Sequence, residues 1–268
     1  MFHPCKWRGE GGGEVLVGEL AKAIPAWEYA SDVQVRFVDA DGAVRFGPLA
    51  RCWGESFEFS SPARKFTAFK GQKNFTGDYW AATSRSLVGY ESWVERDAAM
   101  ALDFDPSVVA LASQPFRLAW TDDERDREHT PDYFARLADG TGAVVDVRPQ
   151  SLVDEEAAEV FAVTARICAM VGWQFRLVGD LDQPFRANLR WLSRYRHPRC
   201  HRTSVADQLR EVFTEPQPLL AGAERIGDRL AVMPVLYHLL WQHELTADLI
   251  AAPLGAATVV RLAARGRS

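Results

Sequence analysis

Cysteine is scarce. Cys5, Cys52, Cys168 and Cys200 are scattered over 268 residues, with no Cys-x-x-Cys pair among them. Such spacing gives no disulfide framework, and reduced thiols in a cytoplasmic protein are the expectation. His197, Cys200 and His201 lie close together, but no matching ligand pair accompanies them, which makes a poor zinc signature. Long apolar runs are also missing. The longest stretches, Val160–Val171 and Leu230–Leu240, are interrupted by Thr, Arg, Tyr or His and fall short of a membrane span. No apolar signal core follows the basic residues of Met1–Arg8, so export is not expected. There is no excess of positive charge either: the formal net charge is −5, which excludes a polycation whose bulk field gathers nucleic acid. Any such contact must come from local patches.

What is present falls into segments, and no internal repeat is visible. Residues 1–31 contain Gly11-Gly-Gly13 and one weak helical stretch at 15–23, which predicts a loosely ordered head. Residues 32–86 read as a β-rich extension. Val33–Val38 alternates, Asp39–Gly42 is a turn and Val44–Pro48 returns, which is a hairpin pattern; residues 54–82 have no clean period. Helical spacing over Leu87–Leu102 stops before Asp103-Phe-Asp-Pro106. Val108–Trp120 reads as one long strand bent at Gln114-Pro115, and Thr121–Glu128 as an acidic loop. After a hairpin over residues 133–147 come a helix at Glu155–Val171 closed by Gly172, a strand at Trp173–Val178 and a helix at Gln183–Tyr195. Residues 87–200 are thus an α/β core with a mixed sheet flanked by helices. From 201 to 268, helices at 203–214, 217–225 and 230–243 precede two short strands around Pro253-Leu-Gly255, the order of a winged helix.

The chemistry concentrates in His129-Thr-Pro-Asp132-Tyr-Phe and Val145-Asp-Val-Arg-Pro149. Strand side chains alternate, so Asp146 and Arg148 share a face while Val145 and Val147 point the other way. Pro149 then ends the ladder. A three-residue loop pairing 138 with 142 would set Asp132 opposite Arg148 and diagonal to Asp146. Two carboxylates a few Å apart repel unless a cation sits between them, and hard oxygen ligands favour Mg²⁺, with Mn²⁺ able to substitute. A third acid is expected from the preceding helix, where Glu91 and Glu95 lie one turn apart. The same residues also permit a plainer arrangement. The hairpin would be an exposed one with a surface Asp–Arg pair, and Ser92-x-x-Glu95 a capping box.

Together, Glu91-Ser-x-x-Glu95, Leu102-Asp-Phe-Asp-Pro106, Gln114-Pro115, Thr130-Pro-Asp132 and Asp146-Val-Arg148-Pro149 resemble the TnsA-type endonuclease subunit of heteromeric transposases. More broadly they resemble the PD-(D/E)xK nuclease superfamily. The resemblance covers residues 87–195, with weaker extensions on both sides. It implies a restriction-endonuclease-like fold and a metal-dependent DNA endonuclease that hydrolyses the non-transferred strand at transposon 5′ ends. It implies catalytic roles for Glu95, Asp132, Asp146 and Arg148, and a metal held by Glu95, Asp132, Asp146 and Val147. Arg148 stands where that pattern usually has lysine. Arginine stays protonated and cannot act as a general base, though it can hold a water or a phosphate oxygen.

DNA contacts are expected from Arg64, Lys65, Lys70 and Lys73, in a run that alternates cations with aromatics and contains no acid. Arg186, Arg190 and Arg194 repeat every four residues and form a second basic run. The implied partners are transposon-end DNA, a DDE-type transposase subunit and an AAA+ ATPase regulator, with no membrane; the setting is a bacterial cytoplasm and its nucleoid. Two other functions stay open on sequence alone: a non-catalytic adapter bridging DNA and transposase, and a stand-alone defence nuclease.

Overall fold

The computed structural model describes residues 32–64, 75–122 and 125–264. The expected head, Lys65, Lys70 and Lys73 lie outside them. The chain divides into two compact units between Asp180 and Leu181. Among the described residues no helix is long and apolar enough to cross a membrane.

The first unit is mixed α/β. It opens with the expected hairpin, β1 (Gln34–Val38) and β2 (Val44–Pro48), followed by a helical turn, α1 (Leu49–Cys52). Residues expected to lack regular structure and to start a helix instead form a second hairpin, β3 (Gly77–Ala81) and β4 (Ser86–Tyr90). The helix α2 begins only at Trp93 and runs to Phe104, because Ser92 caps it: its hydroxyl oxygen accepts from the Glu95 N–H. The apolar residues Leu87 and Val88 mimic helical spacing, yet they alternate between solvent and core as a strand requires.

The long strand also divides. β5 (Val108–Ser113) and β6 (Phe116–Asp122) lie in different sheets, separated at the predicted bend, where Gln114 has φ +45°. The expected acidic loop is partly a strand, β7 (Arg125–His129), paired antiparallel with β6. Then come β8 (Tyr133–Leu137), β9 (Gly142–Val147), α3 (Glu155–Met170) and β10 (Gln174–Val178). One sheet has the order β2-β1-β6-β7, the other β10-β9-β8-β5. Only β9 and β10 are parallel, joined through α3 as a parallel pair requires.

The core binds both sheets to α3. Phe57 sits at its centre, with the rings of Phe37, Phe116, Phe134 and Trp173 within 5.7 Å, and Val144, Val163 and Ile167 complete the cluster. Such edge-to-face pairs contribute roughly 0.5–1.5 kcal/mol each beyond area burial. This fixes the floor from which the acids of β8 and β9 project.

The second unit contains α4 (Phe185–Leu192), α5 (Thr203–Val212), β11 (Gln217–Pro218), α6 (Leu219–Glu224), α7 (Arg229–Trp241), β12 (Leu245–Ala247) and β13 (Val259–Leu262). Its small antiparallel sheet has the order β11-β13-β12. The helix expected at the end of the α/β core, α4, therefore lies in this unit. Asn188 on α4 is saturated by the chain between β12 and β13. Its amide donates to Leu249 O and Ala252 O, both at 2.9 Å, and accepts from Leu254 N at 2.7 Å.

Candidate active site

The turn between β8 and β9 sets the positions of the acids. Leu137 N–H donates to Thr141 O at 2.9 Å, leaving residues 138–140 as the connection. Gly140 has φ +87°, a conformation glycine adopts without a Cβ penalty. Asp139 Oδ1 accepts from Thr141 N at 2.8 Å and tightens the turn. The loop is odd, as the sequence predicts, but it closes one residue earlier on each strand. Tyr133 pairs with Val145 and Arg136 with Gly142, so the next pair beyond the ladder brings Asp132 opposite Asp146. The predicted partner, Arg148, is displaced by two residues.

Asp146 is buried and Asp132 half-buried, and each has one oxygen held by the protein. Val147 N–H donates to Asp132 Oδ2 at 2.7 Å, and His129 Nε2 lies 2.8 Å from Asp146 Oδ2. The remaining pair is Asp132 Oδ1 and Asp146 Oδ1; the latter takes only a long 3.4 Å contact from Asp132 N–H. Burial, and behind it the charges of Asp146 and Glu95, hold the Asp132 carboxyl well above the usual carboxylate range; the Val147 hydrogen bond pulls the other way. Cys168 of α3 is also buried, and burial followed by the Asp146 charge pushes its thiol up, so it stays protonated.

Glu95 takes the plainer of its two expected roles. Its Oε2 accepts from Glu91 N at 2.6 Å and its Oε1 from the Ser92 hydroxyl at 2.9 Å, which closes the start of α2. Burial raises its carboxyl, and the bonds from Glu91 and Ser92 offset part of that rise. Tyr133, next to Asp132, ties this helix start to β8. Its buried hydroxyl lies 3.1 Å from Glu95 O and 3.3 Å from Gly89 O. Glu91 faces Arg64, whose guanidinium donates to both carboxylate oxygens.

Arg148 points away from the two aspartates. Its Nε donates to Leu152 O at 2.9 Å, its Nη2 lies 3.9 Å from Asp154 Oδ2, and its side chain is 42% exposed. No lysine follows Lys73 in the chain, so no lysine of the α/β sheet that carries the acids can stand in for it. Arg64 is the predicted DNA-contact residue seen beside the acids. Arg186 and Arg190 are half-buried on α4, and the exposed Arg194 lies in the turn beyond it, its guanidinium 5.2 Å from the Trp191 ring centroid.

Sequence reasoning missed two residues here. His129 belongs to the run that names Asp132, but nothing in strand alternation predicts its bond to Asp146. Gln114 N–H donates to Asp132 O at 2.8 Å from a left-handed position. The Gln114-Pro115 pair signals a bend, and only the fold puts that bend behind Asp132.

Among the described residues no group of three or more His, Cys, Asp or Glu side chains converges as a metal site. The donor chemistry still fits a small hard cation. Two opposed carboxylates, one buried and one half-buried, each offer one oxygen, and Mg²⁺ binds through one or two carboxylates while keeping most of its waters.

Residues 105–180 match the family model for the TnsA-like endonuclease N-terminal domain. The match supports assigning the chain to the TnsA-type nucleases. The TnsA-like segment spans β5 to β10 and includes Asp132, Asp146 and Arg148, while α2 and Glu95 precede it. No curated protein matches the chain.

Proposed function

We propose that the protein is a divalent-metal-dependent DNA endonuclease subunit of a heteromeric transposase, cutting the non-transferred strand at transposon 5′ ends. The reading rests on the opposed Asp132–Asp146 pair, half-buried and buried respectively, inside a segment that matches a TnsA-like endonuclease. Oδ1 of each aspartate would hold Mg²⁺ or Mn²⁺, with the Val147 carbonyl and, after release from its cap, Glu95 as further oxygen donors. Such an ion supplies polarisation of the scissile phosphate and acidification of a bound water. The protein's own contribution is to keep the two carboxylates opposed through the β8–β9 turn, the Val147 N–H and the Tyr133 tie to α2. Arg148 and Arg64 are the nearby cations that would serve a phosphate oxygen, once released from Leu152 O and Glu91.

In this reading the first unit is a restriction-endonuclease-like core and the second a winged-helix-like module. The order that follows α4 in the second unit, helix, strand, two helices and two strands, supports that, as does its three-stranded sheet. Its helix α7 is apolar and buries Val232, Val235, Leu236 and Leu239 with little basic character, which suits a protein partner such as the transposase or an AAA+ regulator better than the major groove.

The full-length protein, mixed with its DDE-type transposase, end DNA and Mg²⁺, is expected to nick the 5′ strands, and chelation is expected to stop it. Nicking that persists in EDTA rejects the reading. A second reading, a non-catalytic adapter that bridges DNA and transposase, is favoured by one observation: the Arg148 guanidinium is engaged by Leu152 O. It predicts assembly on end DNA with no cut at any metal concentration.

A further inference from the structure

The Asp132–Asp146 pair lacks the neighbour that its charge calls for. Arg148 is turned to Leu152, and Arg64 is spent on Glu91. Among the described residues, the one cation-capable side chain with a bond to either aspartate is His129, at 2.8 Å from Asp146 Oδ2. An ionised carboxylate only accepts hydrogen bonds, so in the Nε2–H tautomer of His129 it is Nε2 that donates to Asp146.

The imidazole is itself held on two sides. His129 ends β7, paired across the ladder with Leu118, and its ring meets the edge of Phe161 from α3 at 6.2 Å. Phe161 is buried, and the His129 side chain is 15% exposed. The bond therefore joins one sheet to the other, with its donor set by packing rather than by solvent.

This arrangement has a chemical consequence. A carboxylate with two free oxygens can rotate, chelate an ion alone or swing away. With Oδ2 claimed by His129, Asp146 presents Oδ1 only. Val147 N–H imposes the same restriction on Asp132 by occupying its Oδ2. The two remaining oxygens belong to directly opposed residues.

We infer that His129 is a positioning residue: its Nε2–H holds Asp146 in the rotamer that leaves Oδ1, together with Oδ1 of Asp132, as the receptor for a divalent cation. This rests on the cation site proposed above. Outer-sphere hydrogen bonds of this kind orient metal ligands, and losing one typically weakens metal binding by about 10- to 100-fold.

The test uses the full-length protein and Mn²⁺ alone, with free Mn²⁺ followed by electron paramagnetic resonance and folding checked by circular dichroism. His129→Leu is expected to weaken Mn²⁺ binding by about 10- to 100-fold. His129→Gln, whose amide nitrogen reaches close to the position of Nε2, is expected to restore it to within a few-fold of wild type. If the leucine variant does not fold, His129→Asn, whose amide falls short of Oδ2, replaces it. Unchanged affinity in His129→Leu, with binding lost in Asp146→Asn, overturns the positioning role and leaves the cation site standing. A directly bound nitrogen in the Mn²⁺ spectrum, with affinity lost equally in the Leu and Gln variants, also overturns it, since His129 would then be a ligand. Failure of the wild type to bind Mn²⁺, or equal binding by Asp132→Asn and Asp146→Asn, sinks the cation site and this inference with it.

Discussion

Asp132→Asn is expected to lower DNA nicking by about a hundred- to a thousandfold while raising the melting temperature of the metal-free protein at pH 8. The activity loss follows from removing an anionic ligand of the proposed cation, and with it the stabilisation that the ion would give a developing negative charge, where single groups are worth about 10²–10³ in rate. The stability gain follows from the opposite side of the same electrostatics. Inside the fold, burial and the charges of Asp146 and Glu95 hold the Asp132 carboxyl well above the usual carboxylate range. A carboxyl whose folded value is raised above its unfolded one, about 3.9, contributes stability that is fully present in acid. That contribution is lost as pH climbs through the folded value. As the pH rises and the pair ionises it works against folding, and asparagine relieves it while its amide oxygen still accepts from Val147 N–H. The gain is expected to shrink as the pH falls and Asp132 itself takes up a proton. Melting curves of the two proteins in EDTA at pH 5, 6.5 and 8 decide the matter. A variant less stable than wild type at pH 8, with the same pH slope, would show that the acids are not in conflict.

A divalent cation should relieve the same repulsion without a mutation. An ion that binds only the folded state at 100 times its Kd stabilises by about 2.7 kcal/mol. For a unit of roughly 150 residues, that corresponds to an upward shift of about 5–10 °C in the thermal transition. Mg²⁺ or Mn²⁺ is expected to produce it in the wild type, and neither Asp132→Asn nor Asp146→Asn is expected to respond. The activity and stability effects thus carry opposite signs for one residue, which a generic loss of structure cannot mimic. Scanning calorimetry with and without the ion measures the shift. An equal rise in both variants would locate the ion elsewhere.

Several features of this site are legible in the chain before any coordinates. The alternation of Val145, Asp146 and Val147 fixes which residues face the core, and the Asp139–Gly142 run announces a turn. Period-two patterning also fixes the parity of the loop, because an even register is needed to bring Asp132 to the acidic face. It does not fix which even register. A turn closed at 137/141 and one closed at 138/142 have the same parity and the same glycines nearby, and only the hydrogen bonds of Leu137, Asp139 and Gly140 select the first. That choice moves Asp132 from Arg148 to Asp146.

The errors elsewhere have similar origins. Leu87 and Val88 fit a helical stripe and a strand equally well, and Ser92 decides by capping α2 after them. β7 was hidden because Arg125, Asp126, Arg127 and Glu128 carry charge on both faces of an edge strand, where no apolar alternation survives. Glu95 could serve either its helix or an ion, and no spacing in the chain foretells that its two oxygens close the helix start. His129 escaped notice for a deeper reason: its contact with Asp146 spans two sheets and 17 residues, and no local period encodes it.

The most direct measurement is anomalous diffraction from crystals of the full-length protein soaked in Mn²⁺. The account predicts one peak within coordination distance of Asp132 Oδ1 and Asp146 Oδ1, with His129 still bonded to the other oxygen of Asp146. A peak bound elsewhere, with the two aspartates keeping their present contacts, would contradict it.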